Sequence, residues 1–425
     1  MAIISTKRVL VVGFIAVIGY CLLKRSQLPQ HIGGSVDPRF QRVKNVFESN
    51  FKEGWERDGA SLAVYERGKK VVDLWGGYSD KESNRKWQED TVGVIFSTSK
   101  GVSSICLGIL VDRGFLSYDD LVTKHWPEFG ENGKDNVTVM MLVSHQAGLA
   151  YFDSEVTLDE AHDHKLMSKK IEKQRPNWPP GTMAAYHALN HGWLVDQLVR
   201  RVDPKHRGIG QFVREELHDK LDIDIHFGLP KEEAPRVTRL YETETADMLY
   251  EVFTDSDKIK KFIDTIKHVL TEEPIMSKIV QNLPWMGTSP KSLNNPDFWQ
   301  LEQAGALGIG NGRSLAKLYD LVVRKQLISS KTLSFMQKYQ SDVQFFGKDL
   351  AMPIGAGLFM SNLGGFGGSH FKYGHAGNGC QQALMDVENE LAIGYTTNGL
   401  KMLLIESCGT FDRLKAAIYE SISKH

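Results

Sequence analysis

Cysteine is scarce: four occur in 425 residues, Cys21, Cys106, Cys380 and Cys408, with no pair at the spacing of a zinc or redox motif. They read as free thiols, and a disulfide between two of the last three stays open, because spacing does not set proximity. A surplus of one charge sign is also missing, since 51 Lys and Arg face 52 Asp and Glu for a formal net charge of −1. That gives no basic face of the kind on which nucleic-acid binding rests, and a small or neutral substrate is easier to reconcile with it. No internal repeat or low-complexity tract is found, which excludes a solenoid. Metal-ligand patterns are equally thin. His187 and His191 stand four apart, but the glutamate of His-Glu-x-x-His and a third ligand are absent, so both read as structural. His162-Asp163-His164 reads as a solvated, charged face. No metal and no other cofactor is expected. Gly364-Gly365 and Gly367-Gly368 lack the strand-then-helix setting of a nucleotide loop and read as a pliable edge near a site.

Only one long apolar run exists. Val9 to Leu23 carries no charge and is bracketed by Lys7-Arg8 and Lys24-Arg25. A helix of that length rises about 22 Å at ~1.5 Å per residue, and snorkelling Arg8 and Lys24 would help it reach across a ~30 Å hydrocarbon core. Residues 1–26 are therefore expected to be a single-pass membrane anchor, with a mitochondrial presequence or a secretory signal as alternatives. A polar linker follows at about 27–38. Asn136-Val137-Thr138 would be a glycosylation acceptor if the body were lumenal.

What is present suits an enzyme-sized globule, with 41% hydrophobic and 24% charged residues. Ser61 to Tyr65 and Val71 to Trp75 flank Glu66-Arg67-Gly68-Lys69-Lys70, the pattern of a β-hairpin. A second hairpin reads from Gln382 to Thr396. After it, Phe411, Leu414, Ile418 and Ile422 recur at helical spacing. Between these ends the chain turns helical, first at Val102, Ile105, Cys106, Ile109 and Leu110 before Gly114, then over Gly192 to Val202 and Lys258 to Leu270. The expected class is α+β: one antiparallel sheet built from both chain ends and flanked by helices, forming a single domain at 39–425. A mostly helical region is inserted at about 115–340.

Chemistry concentrates at Ser97-Thr98-Ser99-Lys100, where a short apolar stretch meets the first helix. Positions i and i+3 share a helix face, so the Lys100 amine reaches toward the Ser97 hydroxyl. The helix N-terminus favours negative charge developing there. A serine hydroxyl needs such a base to become a nucleophile.

Further segments occur in an order that resembles the serine beta-lactamase and penicillin-binding family. Ser97-Thr98-Ser99-Lys100 is similar to its Ser-x-x-Lys, and Leu142-Val143-Ser144-His145-Gln146-Ala147-Gly148-Leu149 to its Leu-Leu-x-His-Thr-Ser-Gly-Leu. Pro180-Gly181-Thr182 with Tyr186 resembles the stretch that delivers the second-motif tyrosine in the class C branch. His375-Ala376-Gly377 resembles the Lys-Thr-Gly strand in a histidine form. The resemblance implies acyl transfer through Ser97, with Lys100 and Tyr186 as proton relay. It also implies an oxyanion hole from the backbone N–H groups of Ser97 and Asn378, with Gly377 letting the backbone pass close to substrate. His145 and Gly148 fall in a segment that shapes the surroundings. Two departures stand out. Tyr186-His187-Ala188 lacks the asparagine of Tyr-x-Asn, and His375 replaces a permanent cation with a group whose charge depends on its surroundings. Both point from lactams toward the carboxylesterase-like branch, as does Trp178-Pro179-Pro180-Gly181-Thr182. A D-aminopeptidase-like enzyme and a catalytically silent, membrane-tethered scaffold are the alternatives.

Overall fold

The computed structural model describes residues 29–244, 275–287, 289–345, 351–361, 372–401 and 408–422. Its main sheet uses the two ends of the chain. The first end supplies β1 (Ile32–Val36), β2 (Gly59–Glu66), β3 (Lys69–Asp80) and the short β4 (Arg85–Lys86). Three two-residue strands follow in the middle: β5 (Gly93–Val94), β6 (Ile225–His226) and β7 (Ile309–Gly310). The other end adds β8 (Ser341–Gln344), β9 (Ala351–Ile354), β10 (Phe359–Ser361), β11 (Lys372–Gly377), β12 (Gln381–Asp386) and β13 (Leu391–Thr397). The order is β1-β3-β2-β13-β12-β11-β10-β9-β8 with β4 beside β3, and every pairing is antiparallel. Within the segment read as a linker, Ile32–Val36 pairs with Val72–Gly76 as the sheet edge.

Both predicted hairpins form. Arg67 and Gly68 close the first with φ of 51° and 80°, the double left-handed geometry of a two-residue turn whose twist matches the strands it joins. The central strands are buried along most of their length because helices cover both faces. On one face, α1 (Gln41–Glu53) and the terminal helix pack Phe40, Phe47, Phe411, Leu414 and Ile418 against Leu62, Leu74 and Ile393. Each such side chain contributes about 1.5–3 kcal/mol on full burial. Of the thiols, Cys106 is free and buried as expected, while Cys380 and Cys408 form the disulfide that their spacing left open. The loop before β12 and the start of the terminal helix meet in this layer, a proximity that 28 residues of separation could not reveal.

On the opposite face lies α2 (Thr98–Asp112), the helix that begins at the serine. Its apolar spacing predicts one buried stripe, yet every residue from Thr98 to Leu110 is buried. Over that stretch the helix is enclosed between β11 and α3 (Asn190–Val202), and only its last two residues, Val111 and Asp112, reach solvent. Gly101 permits the approach: a Cβ there would stand 2.1 Å from the Tyr319 Oη, on α4 (Gly312–Val323).

The membrane anchor expected at Val9–Leu23 is corrected. Among the described residues no helix is long and apolar enough to cross a membrane, and residues 1–28 lie outside them. The predicted helix over Lys258 to Leu270 and the paired glycines at 364–368 also fall outside the described residues.

Candidate active site

Ser97 sits at the seam between a strand and a helix. β5 pairs with β7 through Gly93 and Val94, and the Ile95 N–H extends that pairing to the Gly308 carbonyl at 2.9 Å. The chain then turns sharply at Phe96, whose φ of 45° is uncommon for a bulky residue and is the kind of local strain that gathers at functional sites. Ile95 O accepts from the Thr98 N–H at 3.2 Å, which closes the turn, and the Ser99 hydroxyl accepts from the Gly308 N–H at 3.1 Å. Ser97 is thereby held as the first residue before α2, in the stretch where helix N–H groups lack intrahelical acceptors.

One turn later, Lys100 is fully buried. Its Nζ stands 3.2 Å from the Ser97 Oγ, 2.6 Å from the Ala188 carbonyl oxygen and 2.6 Å from the Gly305 carbonyl oxygen. Burial holds the amine well below its ordinary pKa. A neutral amine has two N–H donors and one lone pair. With the donors directed to two carbonyls, the lone pair is left for the serine hydroxyl. The cage is itself braced, because Gln303 Oε1 accepts from the Gly305 and Ala306 N–H groups at 2.9 and 2.8 Å. Gly305 also needs a glycine opposite it, since a Cβ on Gly192 would come 2.2 Å from the Gly305 nitrogen.

Tyr186 completes the group. Burial pushes the pKa of its hydroxyl up and keeps it protonated, while the neighbouring Ser97 acts in the opposite direction. The Lys100 Nζ lies 4.6 Å from its ring centroid. His375, on β11, stands 6.2 Å from the Tyr186 ring, centroid to centroid. Its Nδ1 lies 2.7 Å from the Ala376 carbonyl oxygen, which can only accept, so Nδ1 carries the ring proton. Burial, aided by Lys100, holds its pKa down at about 3, so the ring is neutral at physiological pH. Gly377 passes against the strand before the serine, where a Cβ would lie 2.5 Å from the Ile95 carbonyl oxygen. Asn378 follows it at the rim, so all of the sequence-predicted site residues meet in one region.

They meet beside a cavity of about 350 Å³. Ser97, Tyr186, Ser289, Ser292, His375 and Asn378 give its lining polar side chains, and Phe96, Leu189, Met276, Met286, Leu293, Phe345, Met352 and Phe359 are among its apolar ones. No Asp, Glu, Lys or Arg lines it among the described residues. Three features of this site have no residue-type signature in the sequence: the Ala188 carbonyl, the Gly305 carbonyl and the apolar side chains of Met276, Ile279, Met286 and Leu293. Ala188 occupies the place of the second-motif asparagine, and its main chain, not its side chain, serves the site.

The remaining histidines have other employment. His187 donates from Nδ1 to the Ala185 carbonyl at 2.7 Å and accepts at Nε2 from the Leu149 N–H at 2.9 Å. His191 is buried, and neither ring nitrogen has a partner among the described residues. Asp163, read as part of a solvated face, caps a helix by accepting from the Lys165 and Leu166 N–H groups. His218, Asp224 and His226 come within metal-ligand spacing away from the cavity, where Asp224 is paired with Arg236.

The sequence profile of the beta-lactamase family matches residues 47–406. A protein of Mycobacterium tuberculosis, "Esterase/beta-lactamase LipL", is 38% identical over 207 residues, which are 48% of this chain and 47% of that protein. This chain spans about half the length of the curated relatives it matches. Among solved structures, a family VIII carboxylesterase aligns at 27% identity and a TM-score of 0.76, covering 92% of this chain and 100% of that one. A penicillin-binding protein homologue from Caulobacter crescentus aligns with the same identity, TM-score and coverage.

Proposed function

The chain belongs to the beta-lactamase family, a family of serine hydrolases, and on that premise we propose that it is a carboxylesterase-like enzyme acting on neutral esters with a hydrophobic acyl group. The observation that carries this reading is the largely apolar cavity opening on Ser97, which no Asp, Glu, Lys or Arg lines among the described residues. A lactam or peptide carboxylate entering it would meet no cation among the described residues, because Lys100 is buried behind Ser97 and His375 is neutral. An ester acyl chain, by contrast, would exchange water for Met, Leu and Phe side chains at about 25 cal/mol per Å² of apolar surface.

In this mechanism the neutral Lys100 amine takes the Ser97 proton as Oγ attacks the ester carbonyl. The negative charge on the former carbonyl oxygen would be met by the Ser97 and Asn378 N–H groups. Collapse of the tetrahedral intermediate breaks the bond to the alcohol oxygen. Tyr186 hands that oxygen a proton and is reprotonated by the Lys100 ammonium. The acyl-enzyme is then cleaved by water, with the same groups moving the proton in the opposite sense. The buried Lys100 amine 3.2 Å from the Ser97 hydroxyl also supports an active enzyme over a silent scaffold.

The test uses a fluorophosphonate probe and a substrate panel. Wild-type protein should be labelled at Ser97 and Ser97→Ala should not. p-Nitrophenyl esters should turn over faster than D- or L-aminoacyl p-nitroanilides and than a chromogenic cephalosporin. Faster turnover of an aminoacyl amide would favour the peptidase reading. A folded wild-type protein that neither labels nor turns over would refute the enzyme.

A further inference from the structure

We propose that His145 is a positioning residue that fixes Tyr186 by gripping the peptide groups on both sides of it, an assignment that rests on Tyr186 acting in the proton relay. His145 follows the short helix Val139–Val143 and adopts a φ of 63°, in the left-handed region that is uncommon outside glycine and in which histidine, with asparagine and aspartate, is enriched. That conformation lets one residue offer two acceptors to one stretch of chain. The His145 carbonyl accepts from the Ala185 N–H at 3.2 Å, and the His145 Nδ1 accepts from the His187 N–H at 3.1 Å. Residues 185 and 187 flank Tyr186. The imidazole also packs on the phenol, with ring centroids 4.9 Å apart.

The opposite side of the tyrosine is held as well. The Tyr186 N–H donates to the Gln344 carbonyl at 2.9 Å, and the Gln344 N–H donates to the Ala184 carbonyl at 3.0 Å. Tyr186 is thus clamped between β8 and the segment carrying His145, and it lines the cavity together with Ser97. His187 tightens the same grip through its bonds to the Ala185 carbonyl and the Leu149 N–H. Because Nδ1 accepts a backbone N–H, it carries no proton, and His145 works as an acceptor with a ring attached. A shift of a relay hydroxyl by about 1 Å costs on the order of 10²-fold in rate, so a strained residue is well used here.

The experiment compares full-length variants on one p-nitrophenyl ester, with thermal unfolding alongside. His145→Leu removes the side-chain acceptor. His145→Asn keeps an acceptor at nearly the Nδ1 position and tolerates the positive φ. His145→Leu should lower kcat by about 10- to 100-fold with KM little changed, and His145→Asn should recover most of that loss. The decisive arm adds Tyr186→Phe: with the phenol hydroxyl gone, His145→Leu should cause no further fall in kcat. Equal fold-losses in both backgrounds would overturn the assignment while leaving Tyr186 in the relay. So would a His145→Asn variant as slow as His145→Leu. Full activity in Tyr186→Phe alone would remove the relay role and the clamp with it. Should His145→Leu not fold, His145→Phe keeps the ring contact without the acceptor and takes its place.

Discussion

Lowering the pH from 7 to 5 should destabilise this protein far more than carboxylate titration alone would. Four buried histidines, His145, His187, His191 and His375, surround Lys100 and Tyr186, and burial lowers the pKa of each. Values are held at about 4 for His187 and about 3 for His375. In the unfolded chain each returns to ~6.5. The unfolded state therefore binds more protons below that value, and stability falls as pH falls. Contributions are fully present above about pH 6.5, decline at about 1.4 kcal/mol per pH unit for each histidine, and level off once the folded ring protonates. At pH 5 the loss relative to pH 7 is about 2 kcal/mol for His187 and about the same for His375, and His145 and His191 act in the same direction. A loss of about 4 kcal/mol or more is a large share of a typical 5–15 kcal/mol stability. Urea unfolding at pH 7, 6 and 5 and constant ionic strength measures it. His191→Leu supplies the internal control: neither ring nitrogen has a partner among the described residues, so the change sacrifices no hydrogen bond there and should flatten the slope. A fall of less than about 1 kcal/mol between pH 7 and 5 would refute the claim that these rings are buried neutral.

Lys100→Arg keeps a cation that does not lose its proton and so cannot act as a base; kcat on an ester should fall about 10²- to 10⁴-fold. In the wild type, activity should be lost on the acid side as Lys100 gains a proton, with a midpoint well below the ordinary lysine value, measured as a kcat–pH profile. Gly377→Ala places a Cβ 2.5 Å from the Ile95 carbonyl oxygen and should push β11 away from the serine. Circular dichroism should show a folded protein while single-turnover acylation slows by at least about tenfold. Glu56→Ala strands Lys401, which lies 2.7 Å from that carboxylate with both groups buried, and denaturant unfolding should register a loss of about 3–5 kcal/mol.

Sequence was most informative where chemistry depends on residues close in the chain. Ser97 and Lys100 are readable as a pair because three residues of helix bring them to one face, and their atoms stand 3.2 Å apart. The hairpin at Arg67-Gly68 is readable because its turn geometry demands particular residues. Legibility ends where the working group is a main-chain atom or a consequence of burial. A carbonyl at Ala188 or Gly305 looks like any other carbonyl, and only the small Ala304-Gly305-Ala306 run hints that chain must pass close by. His375 read as a group of undetermined charge. Its neutrality follows from enclosure by β11 and α2, which no local pattern encodes. Ile32–Val36 escaped notice as a strand because an edge strand with Gly33-Gly34 at its centre lacks the β-branched run that signals strands.

The acid sensitivity and the reactivity share one physical origin. Removing Lys100 from water without a carboxylate partner makes its ammonium form unfavourable, and that is what turns a lysine into a base near neutral pH. Four histidines around it can be tolerated only as neutral rings, since a charge on any of them would oppose the others and any proton on Lys100. Were a carboxylate placed in the cavity to shield these groups, Lys100 would regain its proton and lose its lone pair for Ser97. An Ala188→Asp variant makes the trade measurable. Its carboxylate would stand where the second-motif asparagine is missing, close to the Nζ that the Ala188 carbonyl now holds at 2.6 Å. The lysine pKa should rise, the acid limb of the kcat–pH profile should move to higher pH, and turnover at pH 7 should drop. An unmoved acid limb in a folded variant would show that Lys100 is not the group whose proton controls the reaction.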